Sequence, residues 1–298
     1  MWSVESTDRT SRARISTMPS SAVRRFANDA GSGIVHFEFS EPLEWHLMIG
    51  NDPAYLTKDT GCDTCRYIFT KVMPGQHLSD AVPEGSYRQL SNLLTNLTSL
   101  PDDKILATIG SVLPRGDYSV LLSFFAPELV VPGGEDDYFS EEAVATWGLD
   151  PYFGIGHCPQ TPYYRLAERD LGAVEYGGKR LGVALAVPLF PPTLMSRQGA
   201  VQDYRAALRD GRMAPTVLAI GLVDDRGPAV WSEPAPIYSR HLIVTLYVLD
   251  GHHKLLAAAD ERAHIQILSF FPRSIERLVD AEMVDRGIEM LTRSEAPA

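Results

Sequence analysis

The stretch from Ser239 to Phe271, SRHLIVTLYVLDGHHKLLAAADERAHIQILSFF, constrains the fold more than any other part of the chain. Leu242 to Leu249 is almost wholly apolar or β-branched, the composition of a strand buried on both faces. Asp250-Gly251-His252-His253-Lys254 then gathers polar and backbone-permissive residues into one turn. Leu255, Leu256 and Ala257 to Ala259 favour helix, and Ile265-Gln266-Ile267-Leu268 returns as a second strand. A polar turn that leaves a buried strand and opens a helix suits an anionic group. The first backbone N–H groups of the helix have no internal partner, and the macrodipole favours negative charge there.

Within that turn, Gly251 permits close backbone approach. His252, His253 and Lys254 are candidate donors to phosphate oxygens, and Asp250 is a candidate Mg²⁺ ligand or proton acceptor. The competing reading is an Asp-Gly turn whose histidines are merely exposed.

The chain carries 38 acidic against 27 basic residues, a net charge of -11. That balance opposes a broad grip on a phosphate backbone, so nucleic acid is not an expected partner. No apolar run approaches the roughly 20 residues that span a bilayer, so no membrane partner is expected either. Residues 1 to 33 are rich in Ser, Thr, Arg and Gly and read as a disordered tail. Three cysteines make no disulfide framework, which implies a reducing, cytoplasmic setting.

Ile34 to Phe39 and Trp45 to Gly50 read as two strands of a hairpin. Leu90, Leu93, Leu94 and Leu97 recur at helical spacing, and Asp102 is placed to cap a second helix over Lys104 to Leu113. Ser140 looks like the start of a further helix. Tyr118–Phe125, Leu181–Phe190 and Thr216–Val223 read as strands, and Ala200–Arg209 and Arg277–Leu291 as helices. Val120–Phe125 faintly echoes Ile267–Phe271, a likeness that two apolar strands can have by chance. The expected class is α+β. The expected organisation is a tail over 1–33, a mixed α+β region over 34–175 and a mixed-sheet domain over 176–298, with the boundary between Tyr164 and Lys179.

A second constellation is Cys62-x-x-Cys65, one half of a zinc knuckle, for which His157 and Cys158 are candidate partners and His36 and His46 further options. Free or buried thiols and a redox pair are the alternatives. The loop LDPYFGIGHCPQTPYY, Leu149 to Tyr164, offers Tyr152, Phe153, Tyr163 and Tyr164 either for stacking on a nucleobase or for packing.

The C-terminal part resembles the ParB/sulfiredoxin-like superfamily. The residues that carry the likeness are Asp250-Gly251-His252-His253-Lys254 with Ala257-Ala258, then Ile265-Gln266-Ile267, and upstream Tyr204-Arg205-Ala206-Ala207-Leu208 with Gly211, Ala214 and Pro215. It spans about residues 198 to 272, roughly a quarter of the chain. The resemblance implies a mixed-sheet domain and a nucleotide site with phosphates on the turn. Among the branches, the turn is nearest the free-serine-kinase form. It lacks the cysteine of sulfiredoxins, and Phe271 lies too near the end of the chain for the helix-turn-helix of partitioning proteins. The implied activity is an ATP- or ADP-dependent small-molecule kinase using Mg²⁺, acting on a hydroxyl-bearing metabolite such as free serine. A non-catalytic nucleotide- or anion-binding regulatory module is the alternative. Two departures stand out. Lys254 occupies a place where Arg is commoner, losing the bidentate fork. The acidic base that such kinases hold outside the turn has no fixed counterpart, with Asp203, Asp224, Asp225 and Glu233 as candidates.

Overall fold

The structure is a computed structural model that describes residues 21–40, 44–58, 70–73, 76–132, 137–138, 162–174, 178–190, 192, 195, 198–212, 214–226, 238–275 and 278–293. It is α+β, with helices packed around a large mixed sheet and a smaller antiparallel one.

The strands are β1 (Ala22–Asn28), β2 (Val35–Ser40), β3 (Glu44–Ile49), β4 (Asp52–Lys58), β5 (Thr70–Val72), β6 (Gly116–Phe125), β7 (Glu128–Val130), β8 (Tyr163–Ala173), β9 (Lys179–Pro188), β10 (Val217–Arg226), β11 (Tyr238–Asp250) and β12 (Ile265–Pro272). The helices are α1 (Leu78–Ala81), α2 (Glu84–Thr95), α3 (Asp103–Ile109), α4 (Gln198–Arg209), α5 (His252–Glu261) and α6 (Ala281–Thr292), with a 3₁₀ turn at Gly110–Val112.

The large sheet runs β1-β6-β12-β10-β11-β9-β8-β7, and the small one β2-β3-β4-β5. β11 lies inside the large sheet, antiparallel to β10 and parallel to β9, which explains its unbroken apolar run. β12 is buried along its whole length between β10 and β6. The small sheet docks through β4. The Tyr55 hydroxyl lies 3.1 Å from the Val187 carbonyl and 2.9 Å from that of Val248, sharing one proton between them. Thr57 bonds the Tyr247 hydroxyl at 3.1 Å. α6 packs on the large sheet at Gly287, where a Cβ would come within 2.5 Å of Val223. Asp280 caps α6 by accepting from the Met283 amide, as Asp102 caps α3 through Ile105.

Several expectations are corrected. The segment 1–33 is not wholly a tail, because β1 joins the large sheet against β6. Its alternation hides among the arginines: Phe26 and Asn28 are buried while Arg24 and Arg25 reach solvent. Asn28 Nδ2 donates to the carbonyls of Gly110 and Pro114, which ties the strand down. Nor does the chain divide between 175 and 176. That point lies in sequence between β8 and β9, which pair antiparallel, and β1, β6, β7 and β8 share one sheet with β9 to β12. Helix α3 also stops at Ile109, where the 3₁₀ turn takes over. Tyr163 and Tyr164 are fully buried on β8, so they pack the core and do not offer faces for stacking.

Candidate functional site

The turn forms where the sequence places it. Gly251 adopts φ 99°, ψ 22°, a left-handed conformation, between the end of β11 and the start of α5. A side chain there would meet Val217, with a Cβ 3.1 Å from the Val217 Cα. The first helical bond runs from the Leu255 amide to the Gly251 carbonyl at 3.0 Å, and no side chain caps the helix. The opening residues of α5 line a cleft of about 670 Å³.

Asp250 and Lys254, one helical turn apart, both line the cleft but are engaged with each other. Lys254 Nζ donates to Asp250 Oδ2 at 3.2 Å and to the Thr216 carbonyl at 3.2 Å. The Tyr87 hydroxyl, from α2, donates to Asp250 Oδ1 at 2.7 Å. Burial alone would raise the Asp250 carboxyl. The Lys254 charge and the hydrogen bonds from Tyr87 and Lys254 outweigh it and hold the group below its ordinary range. A carboxylate with an ammonium already beside it is a poor magnesium ligand, so the donor set does not fit Mg²⁺ at Asp250. Among the described residues, no group of three or more His, Cys, Asp or Glu stands together as a metal site.

His252 is buried. Its Nε2 accepts the Leu189 amide at 3.0 Å, which puts the proton of the neutral ring on Nδ1. That Nδ1 has no hydrogen-bond partner. Burial pushes the His252 pKa down to about 3, with the nearby His77 ring acting in the same direction. His253 is half-buried in the cleft lining.

The opposite wall comes from outside the turn. His77 precedes α1, and its Nδ1 accepts the Ser79 amide at 3.2 Å and lies 2.8 Å from the Ser79 hydroxyl. The ring stacks on Phe190 at 5.6 Å. Tyr204 reaches the cleft from α4, its phenol raised by burial and by Asp250. α4 is held beside α5 by Glu261. That carboxylate takes two 2.7 Å bonds from Arg209 and one from Arg205, and its pKa is pushed down to about 2, Arg209 contributing most.

The sequence reading found the turn but missed His77, Tyr87 and Phe190. Tyr87 carried a signal, since it stands three and seven positions before Leu90 and Leu94, the buried residues of α2. His77 had none, because its role depends on a tertiary contact. Of the candidate bases, Asp224 and Asp225 lie toward the far end of β10, about 25 Å along the strand from Val217. Asp225 is surrounded there by Arg180, Arg240 and Arg286. Asp203 is exposed on α4 beside Tyr204. Glu233 lies outside the described residues, as do Cys62, Cys65, His157, Cys158 and the segment at Ser140. Asp80, not among the candidates, lines the cleft. Among the described residues no helix is long and apolar enough to cross a membrane.

Neither the protein-family models, nor the curated proteins, nor the solved structures contain a match to this chain.

Proposed function

We propose that the protein is a binding module for a small anionic metabolite, held in the cleft with its charged group at the opening turn of α5. The observation that carries the reading is the buried, unpartnered Nδ1 of His252 at the start of a helix that no side chain caps. A buried donor left unpaired is costly, and a ligand oxygen is its natural partner. The resemblance of the β11–turn–α5–β12 unit to the ParB/sulfiredoxin-like superfamily supports an anion at this turn, with nucleotide phosphates as the implied ligand class. A mixed-sheet nucleotide domain of that type would here be completed by strands from the N-terminal part. A cytoplasmic setting goes with this reading.

A second reading is a phosphotransferase that uses ATP or ADP to act on a small hydroxyl-bearing metabolite such as free serine. Asp80 favours it, as a carboxylate in the cleft lining but outside the turn. The engagement of Asp250 with Lys254 and Tyr87 weighs against it, because the turn then offers neither a free base nor a free cation. Thermal unfolding with ATP, ADP, CTP, inorganic phosphate, acetate and benzoate, with and without Mg²⁺, separates the two when nucleotide turnover with free serine is followed alongside. Stabilisation without turnover is expected. Turnover would establish the second reading, and no stabilisation by any of these anions would sink both.

A further inference from the structure

Two imidazoles meet in the cleft from distant parts of the sequence. The His77 and His252 rings lie 5.7 Å apart, inclined at 52°. Each has one nitrogen fixed by a backbone amide: Ser79 donates to His77 Nδ1 at 3.2 Å, and Leu189 donates to His252 Nε2 at 3.0 Å. A nitrogen that accepts an amide proton carries none itself. In the neutral rings the protons therefore sit on His77 Nε2 and His252 Nδ1. Phe190 packs against both, stacked on His77 at 5.6 Å and edge-on to His252 at 5.5 Å, so the ring planes are held as well as the tautomers. The result is two N–H donors of fixed tautomer on neighbouring rings, one from each wall of the cleft.

The charge around them is sparse. Lys254 is the one Lys or Arg among the described lining residues, and Asp250 already neutralises it. Asp80 adds a negative charge. Such a cleft suits at most one charge spread over two oxygens. It lacks the arginines or free lysines that three or four phosphate charges demand.

We propose that His77 and His252 form a two-donor clip for the carboxylate of a small organic acid, whose body lies along Phe190, Met195 and Tyr204. The proposal rests on the anion-binding reading above and narrows its ligand class. Burial of His252 keeps that donor in one protonation state across the ordinary pH range.

The test uses acetate and benzoate as probes, with ATP and inorganic phosphate as the competing class, read by calorimetry and by the imidazole ¹⁵N resonances of the full-length protein. Benzoate is expected to bind and to shift the His77 Nε2–H and His252 Nδ1–H signals. His77→Phe keeps the stacked ring but removes its donor together with the Nδ1 that accepts the Ser79 amide, so its thermal unfolding is measured alongside, and in the folded variant benzoate should bind about 10- to 100-fold more weakly. His252→Phe would strip the acceptor from the buried Leu189 amide, so the His77 variant, with its fold checked, and the spectrum of the unsubstituted protein carry the test. Tautomers opposite to those assigned, or benzoate binding unchanged in His77→Phe, overturn the clip. Binding of ATP or phosphate without benzoate or acetate overturns the clip and leaves the anion-binding reading standing. No binding by any of the four overturns both.

Discussion

Tyr87 on α2 donates a 2.7 Å hydrogen bond to Asp250 at the end of β11, 163 residues further along the chain. Through it the two walls of the cleft share one buried carboxylate, whose charge Lys254 balances. The turn is thereby a structural joint as well as a candidate binding surface.

Breaking one side of the buried pair should cost more than removing both. Lys254→Met leaves the Asp250 carboxylate without its cation in a site where both side chains are under a tenth exposed, and should lower stability by about 3–5 kcal/mol. Lys254→Met combined with Asp250→Asn should cost clearly less than the sum of the two single changes. Tyr87→Phe should cost about 1.5–3 kcal/mol, as the loss of a hydrogen bond to a charged group. Urea unfolding of the four variants gives the comparison, and strict additivity would contradict a coupled pair.

Gly251→Ala should destabilise by more than about 1 kcal/mol. The left-handed φ of 99° disfavours any side chain, and the Val217 backbone, 3.1 Å from the new Cβ, crowds it further. A variant as stable as the original would mean that the turn is built differently.

Two buried histidines make stability depend on pH. Burial pushes His252 down to about 3 and His241 to about 4, from an ordinary value of 6.5. The unfolded chain therefore binds protons on these rings before the folded protein does. Their contribution is fully present above about pH 6.5 and is lost as the pH falls through the window toward 4 and then 3. Glu261, held near 2, adds its own loss only below about 4.5. Urea midpoints should fall steadily from pH 7 to pH 5. His252→Gln, which keeps an acceptor for the Leu189 amide but does not titrate, should flatten that slope.

The elements that announce themselves locally were legible. β11, the turn, α5 and β12 follow from one apolar run, one glycine and one helix-forming stretch, and the β2–β3 hairpin and the Asp102 cap from equally local signals. The strands that escaped notice lie at or near sheet edges, where charged residues alternate with packed ones: β8 buries Tyr163, Tyr164 and Leu166 but exposes much of its second half. The faint echo between β6 and β12 goes no further than their shared apolar composition, as both strands are buried neighbours in the sheet. The turn was legible as a location but not as chemistry. Nothing in Asp-Gly-His-His-Lys says that Lys254 turns back to Asp250, or that His77 arrives from elsewhere. Those facts belong to long-range packing.

Because β6 completes one flank of β12 and β8 one flank of β9, severing the chain at residue 175 would not release a free-standing unit. The C-terminal piece would carry two raw backbone margins, Ile265–Pro272 and Lys179–Pro188, open to recruiting ribbon from neighbouring molecules. Produced together, the two pieces have the means to satisfy each other, which makes this molecule a candidate for fragment complementation and a poor one for dissection.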